Sequence, residues 1–572
     1  DNSDGVLQSS EVDSTQYICN GSNGSTSSGT MLTSISSPSS NLGCNAGGRV
    51  ISQGLDNGDG GSISQNGILD SGEIDYVTTF CSKFDMSMMS DIFIGLSSSN
   101  IDTPGENCWR GKDRFAVVGD TTYFAADDGI HGRELWAHNT VNQSTWLAAD
   151  ISSGSYPLQT SSDPGDESGF TVVDTRIYFG VKGKLWAYEI SNSTAWNLHP
   201  THSSIGLCFG IIPLGGNIYY DAFPGSGRNL YVHYPSNGTS FAVTSGMLVG
   251  TYLTTVIDTA IIFDGASGSS TNSELYAHET TNSTTWLVAD IKNGASGSMP
   301  GRYAHQVVGD RLYFDADDGV NGTELWVLDT SNWSVWQTPD ISNGAAASYP
   351  GTHSRSFGLV GTTLFFEAFT FSSGIAGYNS GYELYAHDTV NGSTWFVKNI
   401  QSGSGPWASS YPGQMLGFHT VGTQVYFDAD DGDLVFPDGS MKRGRELWVH
   451  DTSNSSTWRA TDIAAGTSDG IDVEPANDGI TCTHGSSTDC LTTQVAVLGT
   501  KLIFNANDTS GSQLWSYDIL TSTVSQITDF ESVPGNDPDL LVIGDYLYFI
   551  ANDGHSGLEL WRVGVEDSVT YG

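Results

Sequence analysis

The sequence predicts an all-β protein, a β-propeller of eight or nine four-stranded blades with a small acidic, calcium-loop-like tail at its N-terminus. One motif recurs from about residue 113 to the end. Each copy divides into four short runs of strand type, and no stretch sustains helical periodicity. The copies centre on Trp136, Trp186, Tyr231, Tyr276, Trp326, Tyr385, Trp448, Trp515 and Trp561, which makes nine, and the longer intervals between them contain visible insertions.

The clearest copy runs from His305 to Ile341. Its first strand ends at Gly309-Asp310, and Gly119-Asp120, Gly422-Thr423 and Gly544-Asp545 recur in kind as two-residue hairpin signals. The second strand is an aromatic run of Leu-Tyr-Phe type, and the third is Glu-Leu-Trp with its flanks. The fourth carries a later tryptophan, as at Trp146, Trp196, Trp286, Trp336, Trp395 and Trp458. Four antiparallel strands at this period are the mark of a propeller blade. The last copy stops soon after Trp561 without a fourth strand. Val563 to Tyr571, Met86 to Leu96, or a strand from another subunit would complete it, since an unpaired edge invites association. The expected division is a tail over 1–84, a linker or closing strand over 85–112, and the propeller over 113–572.

Composition narrows the function classes. Acidic residues number 64 against 21 Lys plus Arg, a formal charge of −43, so nucleic acid is excluded as a partner. No run of 18 apolar residues exists, so membrane insertion is not expected. The seven cysteines follow no metal-ligand spacing. Cys482 and Cys490 flank a short polar loop and Cys44 and Cys81 bracket an acidic module, so both pairs are expected disulfides in an extracellular or cell-surface setting. The odd count leaves at least one thiol free or paired with another chain.

The tail holds a second, unrelated repeat: Asp1 to Gly21 and Cys44 to Cys81 align as (D/N)-G-(V/I)-L-x-S-x-E-(V/I)-D-x-x-x-x-x-C. The first copy matches a calcium loop of EF-hand type, with Asn2, Asp4 and Glu11 at ligand positions around Gly5. In the second, Asn66 precedes Gly67, Glu73 keeps the offset, and an insertion displaces the aspartates to Asp56 and Asp59. Calcium is the expected cofactor here, against an ion-free Asx-rich turn. Blade acids recur similarly: Asp127, Asp128 and Glu134; Asp315, Asp317, Asp318 and Glu324; Asp428, Asp430, Asp431 and Glu446; Asn552, Asp553 and Glu559. A calcium site between second and third strands, closed by the Glu, competes there with plain turn chemistry. Repetition itself argues for a structural role, because a catalytic site needs different residues on different blades.

Seven copies place Asn-x-Ser/Thr between the third and fourth strands, at Asn142, Asn192, Asn237, Asn282, Asn332, Asn391 and Asn454, each followed four residues later by an aromatic. These are candidate N-glycosylation sites, with the alternative that Asn merely suits the hairpin. His138, His233, His278, His387 and His450 recur just after the Leu-Trp/Tyr position, which suggests blade packing. No Gly-x-Ser-x-Gly, His-Glu-x-x-His or Gly-Lys-Ser/Thr motif is present, and no enzyme is expected.

The motif Asp-Asp-Gly-x-x-Gly-x-Glu-Leu-Trp, at Asp127 to Trp136 and Asp317 to Trp326, resembles the ELWxxDG-type repeats of large secreted microbial proteins. The tail is similar to the Cys-Asn-Gly repeats that precede surface domains in some secreted proteins. The resemblance implies a propeller-like extracellular module with no assigned chemistry. The function expected from all this is a calcium-stabilised structural or assembly protein, an adhesive, surface or filament subunit that associates with itself, other surface proteins or glycans. The alternative is a secreted propeller that binds or cleaves carbohydrate.

Overall fold

The computed structural model describes residues 30–571 apart from short gaps and the segments 39–43, 102–113, 154–160, 199–209, 223–227, 267–271, 371–380, 402–408, 433–443, 465–468, 472–494 and 534–539. The chain forms two compact units, 84–566 and a smaller one of 1–83 with 567–572.

In the smaller unit, β1 (Thr30–Ser36), β2 (Gly48–Asp56) and the start of β3 (Ile74–Ser90) form an antiparallel sheet. Gly48 lies opposite Cys81, and Cys44 is bonded to Cys81 with their Cα atoms 5.0 Å apart. The expected pairing of these two cysteines is thus present. Cys482 and Cys490 lie outside the described residues.

The larger unit is the propeller. Its first blade is β4 (Ala116–Val118), β5 (Thr121–Asp127), β6 (Arg133–Asn139) and β7 (Thr145–Ala149), paired in chain order. The next strands, from β8 (Phe170–Val173) to β35 (Thr523–Gln526), repeat this antiparallel pattern in seven further sheets. The first strands of the first three blades touch in turn, as do those of the sixth and seventh and of the eighth and ninth, so first strands lie nearest the axis. Antiparallel order puts the 1–2 and 3–4 hairpins on one face of the ring. The 2–3 turns and the crossovers to the next blade lie on the other.

An aromatic or apolar doublet on each second strand explains how the blades join. Successive strand residues point to opposite faces, so each doublet offers one side chain to each neighbouring blade. Tyr123 packs with Phe179, Tyr178 with Tyr220, Tyr219 with Phe263, and Ile262 with Phe314. Around the ring Tyr313 shares a cluster with Phe366, Phe365 with Phe427, Tyr426 with Phe504, and Ile503 with Phe549. The ninth cluster joins Tyr548 of the last blade to Phe124 of the first, and the circle closes. Among the described residues there are therefore nine blades and nine seams.

The last blade is β36 (Leu541–Ile543), β37 (Tyr546–Asn552) and β38 (Leu558–Tyr571), with β3 beside β38 as its fourth strand. Of the three expected completions, the chain uses its own N-terminal segment, beginning at Phe84. Phe84 and Met86 pack on the seam of Leu547 and Phe549, and Arg562 Nε donates to Ser87 Oγ at 3.2 Å. Val563 onwards continues β38 instead of folding back. The stretch expected as a linker or closing strand thus joins the ring through Phe84–Ser90, Ile92 and Ile101.

Replacing both Phe84 and Met86 by Ser removes half-buried apolar area from the closing strand, and should cost about 1–3 kcal/mol in urea unfolding. An unchanged midpoint would mean that this strand does not close the ninth blade.

Candidate functional site

The recurring acids of the blades, which have ligand-like chemistry, are engaged within the fold. The Glu of Glu-Leu-Trp is buried on the third strand and turned to the crossover that leaves its blade. Glu134 accepts the backbone N–H groups of Ile151 (2.8 Å) and Ser162 (3.0 Å) and the Ser162 hydroxyl (2.6 Å). Glu274 does the same with Ile291 and Ser298, and Glu324 with Ile341 and Ser348. Glu383 takes Ile400 and Ser410, Glu446 takes Ile463, Ala464 and Thr461, and Glu559 takes Ile92. Gln513 holds the eighth crossover by a two-way bond with the Phe530 backbone.

The hydroxyl partner belongs to a second repeated motif, Ser-x-Pro-Gly, at Ser162, Ser298, Ser348 and Ser410. Reading for strands passed over it. Its second residue adopts a left-handed backbone (Asp163, Met299, Tyr349 and Tyr411, φ 44 to 51°). Its glycine N–H then donates to the second strand of the next blade, as Gly301 to Asp315 O (2.8 Å) and Gly413 to Asp428 O (2.7 Å). The motif bridges blades: hydroxyl to the blade behind, amide to the blade ahead.

A second buried acid pins the same segment from the blade ahead. Asp315 Oδ1 accepts Tyr303 N–H (2.8 Å) and Ala304 N–H (3.0 Å), and Asp264 likewise accepts Tyr252 and Leu253. Glu367 accepts His353 and Ser354 N–H, and Asp428 accepts Leu416 N–H while pairing with Arg445. Asp264 and Glu367 were missed in the sequence, although each follows a second-strand phenylalanine as Asp315 and Asp428 do.

The turn aspartates are engaged locally. Asp127 accepts Gly129 N–H, Asp128 accepts Ile130 and His131, Asp317 accepts Gly319, and Asp318 accepts Val320 and Asn321. Asp430 accepts Gly432, Asn552 accepts Gly554, and Asp553 accepts His555 and Ser556; Asp431 sits in the same turn as Asp430. These are Asx turns. In the six blades that have it, the Glu points to a crossover instead of closing on its turn. Among the described residues no group of three or more His, Cys, Asp or Glu gathers as a metal site. The blade acids are engaged as turn and clamp acceptors.

In the smaller unit, Asp56 accepts Asn66 N–H (3.2 Å) and Gly67 N–H (2.8 Å), and Glu73 accepts Gly58 N–H (2.7 Å). Asp59 pairs with Asn57, and Asn66 with Asp70. The carboxylates organise the 56–73 loop through its own amides. Asn2, Asp4 and Glu11 lie outside the described residues.

The five repeated histidines are buried on third strands. Each Nδ1 is hydrogen-bonded to a fourth-strand hydroxyl: His138–Thr145, His233–Ser240, His278–Thr285, His387–Thr394 and His450–Thr457, at 2.7–2.9 Å. Four rings also lie on an aromatic of the preceding blade, as His387 on Tyr313 and His138 on Tyr548. The packing role expected for them holds.

What does not repeat is an aromatic and cationic patch on the crossover face of the fourth to seventh blades. Tyr252, Tyr303 and His353 hold equivalent positions, since the N–H of each donates to its blade's second-strand acid. Arg302 lies 5.3 Å from the Tyr303 ring and 5.9 Å from Tyr252, and Arg355 lies 5.9 Å from Tyr303. Tyr382 and Tyr411 stack at 5.5 Å, with the His353 ring edge-on to both. Tyr349, 37% exposed, meets Tyr303 edge to face. Burial raises the phenol pKa of Tyr303, Tyr382 and Tyr411, which keeps them hydrogen-bond donors. Separately, a polar pocket of about 300 Å³ is lined by Asp310, Arg311, Tyr313, Asp329 and Thr389. Arg311 spans it to Asp329 and to the Thr389 carbonyl, so it serves as a joint between blades.

No family model matches the sequence, and no curated protein matches it. Solved propeller structures do. Dipeptidyl peptidase 4 of Porphyromonas gingivalis is 9% identical, with a TM-score of 0.43, over 80% of this chain and 67% of its own. TolB from Acinetobacter baumannii is 13% identical, with a TM-score of 0.25, over 62% and 77%. The propeller domain of the Trilobed protease from Pyrococcus furiosus is 10% identical, with a TM-score of 0.29, over 63% and 96%. The chain spans 53% of the tricorn protease, another match. At such identities the likeness concerns fold alone.

Burial raises Glu383 to about 8, and Glu324 and Glu559 to about 7, so their stabilisation is complete below the usual 4.5 and lost as pH rises through 7 to 8. Burial lowers His138 and His387 to about 4, so theirs is complete above 6.5 and lost as pH falls towards 4. The melting temperature should peak between about pH 5 and 6.5 and fall on both sides. A steady rise from pH 6 to 8.5 in calorimetry would contradict this.

Proposed function

We propose that the protein is an extracellular, non-catalytic propeller that binds carbohydrate on the crossover face of its fourth to seventh blades. The observation that carries this reading is the patch of Tyr252, Tyr303, Tyr349 and His353 with Arg302 and Arg355. Aromatic faces suit the apolar faces of sugar rings, and phenol and guanidinium donors suit their oxygens. In a chain with only 21 basic residues, two arginines set over one tyrosine favour sugars that carry carboxylates. The acids and histidines that recur around the ring are engaged in holding it, which supports a binding role over catalysis. The Cys44–Cys81 disulfide supports an oxidising, extracellular location.

Titration calorimetry with neutral and uronate-bearing oligosaccharides tests the reading. Uronate-bearing chains should bind more tightly, and Tyr303→Ala or Tyr349→Ala should each weaken binding about tenfold, or about 1.4 kcal/mol. Binding to neither class, or equal binding by the variants, would reject it.

A second reading, a calcium-stabilised surface or filament subunit, is favoured by the acid-rich 56–73 loop of the smaller unit. The ninth blade is completed by its own chain, so this reading rests on the tail or the faces of the ring. Chelation should then lower the melting temperature and disperse assemblies, and restored calcium should reverse both. Indifference to chelator would exclude it.

A further inference from the structure

The third-to-fourth-strand hairpins show more selectivity than their geometry requires. All seven Asn-x-Ser/Thr asparagines are exposed and on the face opposite the aromatic patch. In each, the Asn Oδ1 accepts the backbone N–H of the residue two positions on, at 2.8–3.2 Å. Four also accept that residue's hydroxyl, as Thr194 to Asn192 at 2.6 Å.

Three features separate this pattern from ordinary turn chemistry. First, the middle residue is left-handed (Gln143 φ 60°, Ser193 55°, Trp333 59°), where conformation favours Gly or Asn, yet only Gly238 and Gly392 meet that preference. The sequence is relaxed where the backbone is demanding and strict at the residues on either side. Second, Asp makes the same Asx turn as Asn, and this chain is rich in Asp. Of the eight equivalent hairpins seven have Asn at this position, one has Thr521 and none has Asp, so the amide is what is kept. Third, the eighth blade forms the same hairpin with Thr521 at the asparagine position and left-handed Ser522 (φ 55°) in the middle. There the aromatic four residues on is lost as well, replaced by Ser525. Asparagine and aromatic occur together and disappear together.

The aromatic is suitably placed. Residues two apart share a face of a strand, and the residue two after Asn bonds back to the Asn side chain. The aromatic four after Asn therefore lies on the asparagine's side, about 7 Å further along. Trp146, Phe241, Trp336 and Trp395 are 38–59% exposed, with Arg311 over one side of Trp336 and Tyr234 edge-on to Phe241.

We infer that these seven asparagines carry N-linked glycans, and that where the outer-strand aromatic is exposed, at Trp146, Phe241, Trp336 and Trp395, the first sugar rests on it. Attachment requires a lipid-linked glycosyl phosphate donor. Asn Nδ2 attacks the anomeric carbon, the C1–N bond forms, the C1–O bond breaks with its electron pair leaving on phosphate, and the amide loses one proton. The inference does not depend on the carbohydrate-binding reading, and it leaves the crossover face clear of glycans.

Glycopeptide mass spectrometry on the native protein tests it. Hairpin peptides of the seven blades should carry added glycan mass. The peptide holding Asn321-Gly322-Thr323 should not, because Asn321 is half-buried and its amide donates to both Asp318 and Gln337, whereas Asn391 is exposed and donates to one partner, Asp388. Asn142→Asp, which keeps the turn acceptor, should lose the glycan at that site alone. For stacking, enzymatic deglycosylation should lower the melting temperature of the wild type more than that of Trp146→Ser. Seven unmodified hairpins would overturn the inference, and equal deglycosylation effects in the two proteins would overturn the stacking.

Discussion

The ring depends on buried carboxyl groups that hold backbone amides across the blade boundaries. A propeller must turn its chain between blades on one face, and each turn brings backbone N–H groups into a crowded, dry interior. An unpaired buried amide costs about 1–3 kcal/mol, so every crossover needs acceptors. Between the fifth and sixth blades Glu324 supplies them from behind, to the amides of Ile341 and Ser348, and Glu367 supplies them from ahead, to those of His353 and Ser354. Apolar doublets such as Tyr313 and Phe314 then fill the seams. Polar clamps set where each blade sits, and aromatic packing supplies most of the cohesion.

The division between repeated and unrepeated residues organises the surface as well. The clamps, the Asx turns and the His–hydroxyl pairs recur around the ring. Tyr252, Tyr303, His353, Tyr382 and Tyr411 interrupt that regularity on one face, and the Asn-x-Ser/Thr hairpins occupy the other. Because the recurring groups are engaged in holding the ring, distinctive chemistry has to come from where the repeat is broken.

The nine copies were legible because the Glu-Leu-Trp centre survives in each as at least an aromatic on the third strand, while the incomplete last copy left eight or nine blades open. The Cys44–Cys81 pairing was legible from one acidic module between two cysteines. The meaning of the blade acids was not. An Asp-Asp-Gly turn looks the same whether it binds an ion or its own amides, and the Glu324 partners lie 17 and 24 residues further on. Local reading cannot supply a partner delivered by a crossover. The closing strand was one of three options because Phe84–Ser90 carries no blade motif, only alternating apolar residues. The aromatic patch was invisible for a different reason: its members are scattered from Tyr252 to Tyr411 and meet only when four blades stand side by side.

Amide hydrogen exchange at Ile341 and Ser348, in the wild type and in Glu324→Ala, tests the clamp most directly. The account predicts strong protection of both amides in the wild type without added calcium, and rapid exchange at both in the variant while the fifth-blade strands stay protected. Protection that appears only with calcium, or that survives loss of the carboxylate, would contradict it.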